Sequence, residues 1–108
     1  MQRNNIFLIG FMGVGKSTIA RLFSDKLCME LIEMDETIEA EQGMSIPDIF
    51  ETKGEEAFRD MESALVERIS SNKNAIVSCG GGAVLREKNV MNMKTNGIVI
   101  FLTATPAL

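Results

Sequence analysis

Apolar and polar positions alternate along this chain in two rhythms. Ile6 to Ile9, Leu31 to Met34, Ala75 to Cys79 and Gly97 to Thr103 are short apolar runs without alternation, the pattern of strands covered on both faces. Between them the apolar residues recur at spacings of three and four. Ser17 to Leu27 places Ile19, Ala20, Phe23 and Leu27 on one helical face. Glu36 to Glu41 reads as a short helix stopped by Gly43. Ser45-Ile46-Pro47-Asp48 reads as a helix start, with a hydroxyl cap, a proline in the first turn and an acid three residues after the cap; that helix ends before Gly54. Glu55 to Ser70 is the longest predicted helix. Ala57, Met61, Ala64, Leu65 and Arg68 form its stripe, with Phe58 and Ile69 at the edge, and Arg59 falls well off it. Arg86 to Lys94 is weakly helical, and Gly97 to Thr103 reads as a fully buried strand.

Strands alternating with helices imply βαβ units, hence a parallel sheet between two helical layers. The 108 residues suffice for one domain with one core, and no repeat, linker or low-complexity stretch divides them. Nothing after the last apolar run would cover it. The expectation is that a partner covers that edge, or that residues 1–108 are the N-terminal portion of a larger domain.

Composition narrows the partners. With 45% apolar residues, 24% charged residues and a net charge of −4, the chain reads as an ordinary globular protein. It lacks the clustered basic surface that nucleic acid demands. A few groups holding one small phosphate ligand remain compatible with this charge. No apolar stretch approaches the ~18 residues of a membrane span, and the N-terminus is too short for a signal peptide. A cytoplasmic protein is expected, with Cys28 and Cys79 as reduced core thiols. The sequence contains no histidine, so histidine ligation and histidine catalysis are excluded.

The segment GFMGVGKST, Gly10 to Thr18, contains the pattern G-x-x-x-x-G-K-[ST] between an apolar strand and an amphipathic helix. Glycines leave successive N–H groups free to wrap an anion, and the helix start directs its dipole at the same anion. Lys16 would reach the β- and γ-phosphates of a nucleotide, and the Ser17 hydroxyl would ligate Mg²⁺. Glu33 and Asp35 stand at the end of the second strand, where a parallel sheet binds ligands. Glu33 reads either as a Mg²⁺ helper or as a solvated acid, and Asp35 either as a site carboxylate or as a helix N-cap. Gly80-Gly81-Gly82 closes the third strand, allowing a ligand to approach the backbone or forming a flexible loop. Arg59 lies four residues after Glu55 and three before Glu62. It reads as an exposed ion-pair ladder or as a guanidinium oriented by Glu62 toward a ligand carboxylate.

Together, GFMGVGKST, EMDETIE, GEEAFRDMES and CGGGAVL resemble, in order and spacing, the shikimate kinases, small P-loop kinases that phosphorylate the 3-hydroxyl of shikimate with ATP on the route to aromatic amino acids. The resemblance covers nearly the whole chain. It implies a three-layer α/β/α P-loop NTPase fold, truncated after the fourth strand. It also implies that Gly13, Val14, Gly15, Lys16, Ser17 and Thr18 bind the nucleotide phosphates, with Ser17 and Glu33 serving Mg²⁺. Asp35 would accept a hydrogen bond from the hydroxyl to be phosphorylated. Arg59, held by Glu62, would pair with the shikimate carboxylate. The Gly81 backbone would contact shikimate, with Gly80 and Gly82 shaping the loop. Lys16, Asp35 and Arg59 are thus the expected catalytic residues.

Two departures stand out. Glu33-Met34-Asp35 replaces the family's usual Asp-x-Asp, and the family's lid, second carboxylate-binding arginine and fifth strand lie beyond residue 108. The incomplete domain is therefore expected to turn over negligibly by itself. Full-length relatives are expected to be monomeric, while this chain is expected to associate through its exposed fourth strand. The alternative is a nucleotide- or phosphate-binding module without catalysis.

Overall fold

The computed structural model describes residues 5–10, 16–70, 74–80 and 82–102, and for Lys16 and Ser17 the backbone only. Strand β1 (Asn5–Gly10) lies at the heart of a parallel sheet, beside β3 (Ala75–Ser78) and β4 (Gly97–Leu102), and β2 (Glu30–Glu33) pairs with the far side of β3. The order is β2-β3-β1-β4. Helix α1 (Lys16–Leu27) covers one face, where Leu8, Ala20 and Ile76 form a core with Ile19, Phe23, Leu31 and Ile100 packed on it. The other face carries α2 (Met34–Gln42), α3 (Ile46–Lys53), α4 (Glu55–Ser70) and α5 (Glu87–Asn96), packed on Phe7, Val77 and Cys79. This is the expected α/β layering, reached because one parity of each continuous strand feeds each face.

Local rules explain most boundaries. Ser45 caps α3 by accepting from the Asp48 N–H at 3.3 Å, with Pro47 in the first turn. Gly43 (φ 69°) and Gly54 (φ 95°) end α2 and α3 in conformations that favour glycine. Ser45→Ala is expected to lower stability by about 1 kcal/mol, read as a fall in the urea midpoint; an unchanged midpoint would show that the cap is idle.

Three expectations need correction. The stripe of α4 is rotated from the predicted one. Phe58, Glu62, Ser63, Leu65, Val66 and Ile69 are buried, while Ala64 and Arg68 are exposed. The core-facing row contains polar Glu62 and Ser63, which the predicted stripe left out in favour of Ala64 and Arg68. Strand β4 is not fully buried. It pairs only with β1 among the described residues, and Ile98 and Phe101 are more than half exposed on opposite faces. Cys79 is buried as expected, but Cys28 is exposed, set in the turn after α1 with φ 55°.

Candidate functional site

All strand pairings are parallel, so the ends of β1, β2 and β3 open on one side of the molecule, and α1 begins there at Lys16. Gly13, Val14 and Gly15 lie outside the described residues, as does Gly81. Lys16 and Ser17 form the first residues of α1, and Thr18 is exposed beside them. Beyond β3, Cys79 N–H donates to the Leu8 carbonyl at 3.0 Å. This carries the ladder one residue further, to the edge of the glycines.

Chain direction changes abruptly at the end of β2. Helix α2 starts at Met34 with no loop, and its N-cap is Glu33, whose side chain makes no capping bond. Asp35 is therefore inside the first turn and is not the cap. Its carboxylate approaches the glycine loop: a Cβ on Gly80 would lie 2.7 Å from Asp35 Oδ1 and 3.0 Å from Glu62 Oε2. Two carboxylates from different elements thus converge on the Gly80 backbone, where a side chain would have to push them aside.

Arg59 occupies the next position along the loop. A Cβ on Gly82 would fall 2.0 Å from its Nη1. The guanidinium donates through Nη1 to Glu62 Oε1 at 2.9 Å and through Nη2 to Glu55 Oε2 at 3.2 Å. Its Cζ stands 5.4 Å from the Phe58 ring centroid and 5.9 Å from that of Phe50. The two rings are 5.1 Å apart, giving an aromatic seat that favours a cation. Buried Nε has no partner among the described residues. The ladder from Arg59 to Glu55 and Glu62 exists, but it is not an exposed one: the Arg59 side chain is only 18% exposed and that of Glu62 1%. Glu62 orients the guanidinium, and the pair sits at the loop rather than in solvent.

Burial pushes the Glu62 carboxyl above its ordinary range. Arg59 pulls it back, Asp35 adds to the rise and Arg86 opposes it. Burial alone would lower Arg59, but hydrogen bonds to Glu62 and Glu55 outweigh it and raise the guanidinium further. The folded state therefore holds a proton on Glu62 at pH values where the unfolded chain has lost it. Stability linked to this group is present below about pH 4.3 and is lost as pH rises through the raised folded value. Glu62→Gln is expected to flatten that decline, tested by urea midpoints across the acid-to-neutral range; parallel profiles for both proteins would contradict the assignment.

Glu33 is half-buried and lies on the other side of the sheet from Ile32. It lines a surface hollow along the edge strand, between Arg21 of α1 and Glu36 and Thr37 of α2. The structure thus separates Glu33 from Asp35, sending Asp35 to the glycine loop and Glu33 to the hollow at the edge strand. Sequence reading missed Phe50 and Phe58, since nothing in their spacing across Gly54 announces a shared seat. It also missed Arg86, which reaches back to α4. The described residues hold no group of three or more acidic or cysteine side chains placed to bind a metal. No helix among them is long and apolar enough to cross a membrane.

A four-stranded parallel sheet in this order, a helix opening from the end of its central strand, and carboxylates and a guanidinium gathered at neighbouring strand ends define a P-loop kinase fold. Residues 12–108 match the family model described as shikimate kinase, and the chain belongs to that family. A shikimate kinase of Dehalococcoides mccartyi is 48% identical over 104 residues, covering 96% of this chain and 59% of its own length. The shikimate kinase of Acinetobacter baumannii, solved in complex with shikimate, superposes with a TM-score of 0.90 at 38% identity, over 96% of this chain and 57% of that one. The Aquifex aeolicus shikimate kinase gives a TM-score of 0.88 at 39% identity, over 94% and 60%. The chain thus spans about 59% of the length of the curated relatives it matches.

Proposed function

We propose that this chain carries the phosphate-gripping loop and the carboxylate-binding site of a cytoplasmic kinase that transfers the γ-phosphoryl group of ATP to the 3-hydroxyl of shikimate. The observation carrying this reading is the convergence of Asp35, Glu62 and Arg59 on Gly80 and Gly82. Membership of the shikimate kinase family and the shikimate-bound relative support it.

The residues divide the work. Arg59 presents two donor edges. Glu62 and Glu55 hold its orientation, leaving the planar guanidinium to meet a carboxylate. Asp35 accepts a hydrogen bond from the attacking hydroxyl and takes its proton as the new O–P bond forms and the bond to the leaving ADP oxygen breaks. Lys16 and the N–H groups of Gly13, Val14 and Gly15 meet the phosphates, with Thr18 beside them.

For Mg²⁺ the donor set is the Ser17 hydroxyl with the Glu33 carboxylate. Glu33 lies on the face of the sheet that α1 covers, and both donors are the hard oxygen ligands this ion takes. When bound, the ion offsets charge on the transferring phosphate.

Amide spectra of the chain, titrated first with shikimate and then with MgATP, test this reading. Shikimate is expected to shift signals around Asp35, Arg59, Gly80 and Gly82, and MgATP those at the start of α1. Absence of both responses, or one common set of shifts, would contradict it. A second reading, a non-catalytic nucleotide-binding module pairing through β4, draws on the exposure of Ile98 and Phe101. Sedimentation discriminates: a concentration-dependent dimer favours pairing, and a monomer removes it.

A further inference from the structure

Helix α4 carries two adjacent rows of side chains. The row Glu55, Arg59 and Glu62 contains its own cation and belongs to the site just described. The neighbouring row, Glu56, Asp60 and Ser63, has none, and Arg86 supplies it from just beyond the glycine loop. Its Nη2 lies 3.2 Å from Glu56 Oε2, and its Nη1 lies 2.9 Å from Asp60 Oδ1 and 3.1 Å from Ser63 Oγ. Glu56 and Asp60 are largely exposed, so these pairs add little stability. Ser63 is buried, and the fork as a whole fixes where the segment after the loop rests on α4.

Asn89 performs the complementary task. It is 1% exposed, and its Nδ2 donates to the Ala83 carbonyl at 2.9 Å. Its Oδ1 is buried with no partner among the described residues. A buried amide oxygen without a partner loses its hydration uncompensated, which makes Asn89 a poor choice for stability alone. Its product is a fixed Ala83. That residue closes the loop through its N–H to the Gly80 carbonyl at 3.0 Å, and Leu85 N–H reaches the Gly82 carbonyl at 3.1 Å. Glycines have the most backbone freedom to lose. Here they are anchored by the β3–β1 ladder on one side and by Asn89 and Arg86 on the other.

We propose that Arg86, which grips α4, and Asn89, which holds the Ala83 carbonyl, are positioning residues that fix Gly82 to Leu85, holding Gly80 and Gly82 against Asp35, Glu62 and Arg59 for a carboxylate-bearing ligand. The ligand half of this proposal rests on the function proposed above; the locking half does not. Amide hydrogen exchange on the 108-residue chain separates them, using Arg86→Met, Asn89→Asp, which keeps the shape but removes the donor, and Arg86→Lys, which keeps the charge toward Asp60.

In Arg86→Met and Asn89→Asp, the Ala83 and Leu85 amides are expected to exchange at least tenfold faster, while Phe7 and Val77 change less than twofold. Arg86→Lys is expected to restore part of the protection. Unchanged loop amides, or loss shared equally by Phe7 and Val77, would overturn the proposal. In the same variants shikimate affinity is expected to fall at least tenfold with MgATP affinity unchanged; a loosened loop with full shikimate affinity would overturn the positioning role. If the unaltered chain binds no shikimate, the functional reading fails, and the exchange pattern still decides whether Arg86 and Asn89 hold the loop.

Discussion

Arg59→Ala is expected to weaken shikimate binding by about a hundredfold while leaving MgATP affinity within about twofold. Removing one member of a buried, hydrogen-bonded charge pair costs roughly 2–5 kcal/mol, and about 2.7 kcal/mol is a hundredfold. The loss should be confined to the carboxylate ligand because Arg59 contacts Glu55, Glu62 and two phenylalanine rings, all on α3 and α4. Truncation also strands Glu62, nearly fully buried, so part of the effect reaches the fold. Arg59→Ala/Glu62→Gln removes that second effect, since it leaves no uncompensated charge. Calorimetric titration of both variants with both ligands is the check. Equal losses for shikimate and MgATP, persisting in the double variant, would mean that Arg59 serves the fold alone.

Gly10→Ala is expected to be the most destabilising single substitution at the loop's edge, at about 2–4 kcal/mol. A Cβ at Gly10 would sit 2.4 Å from the Leu102 carbonyl oxygen, and the residue has φ 155°. The obstacle is backbone, so relief requires opening the β1–β4 ladder, in which Gly10 pairs with Leu102. Gly82→Ala meets a shorter contact, 2.0 Å, but with the guanidinium of Arg59 rather than with backbone. A side chain can give way where backbone cannot, though only by leaving Glu62, so Gly82→Ala should destabilise less than Gly10→Ala while the carboxylate site is lost. Urea unfolding of both variants separates the cases, and Gly10→Ala unfolding at the unaltered midpoint would show that β4 yields freely.

This contrast marks how far the sequence was legible. The first glycine of G-x-x-x-x-G-K-S was read as room for a phosphate, yet Gly10 is also required by the neighbouring strand. That requirement depends on β4, more than 80 residues onward, and no local pattern announces it. Elements with strong local signals were readable: the capped start of α3 at Ser45, the break at Gly54, and the full span of α4. The burial of α4 was not, because polar Glu62 and Ser63 occupy core-facing positions that a stripe sought by hydrophobicity passes over. Arg59 and Glu62 were correctly paired from their spacing of three, but their burial, their seat on Phe50 and Phe58, and the approach of Asp35 through Gly80 are tertiary facts. Glu33 and Asp35 were both placed at the end of the second strand, with different roles; a strand passing into a helix without a loop sends them to different faces.

The claim at the centre of this account is that Arg59 and its glycine loop form a seat for a ligand carboxylate beside a nucleotide loop. Calorimetric titration of the chain with shikimate and, separately, with shikimate methyl ester is the test, because the ester keeps every ring hydroxyl and exchanges the carboxylate charge for one methyl group. Shikimate is expected to bind, the ester to bind at least tenfold more weakly, and MgATP affinity to be the same beside either. Equal affinity for acid and ester, or no binding of shikimate at all, would contradict it.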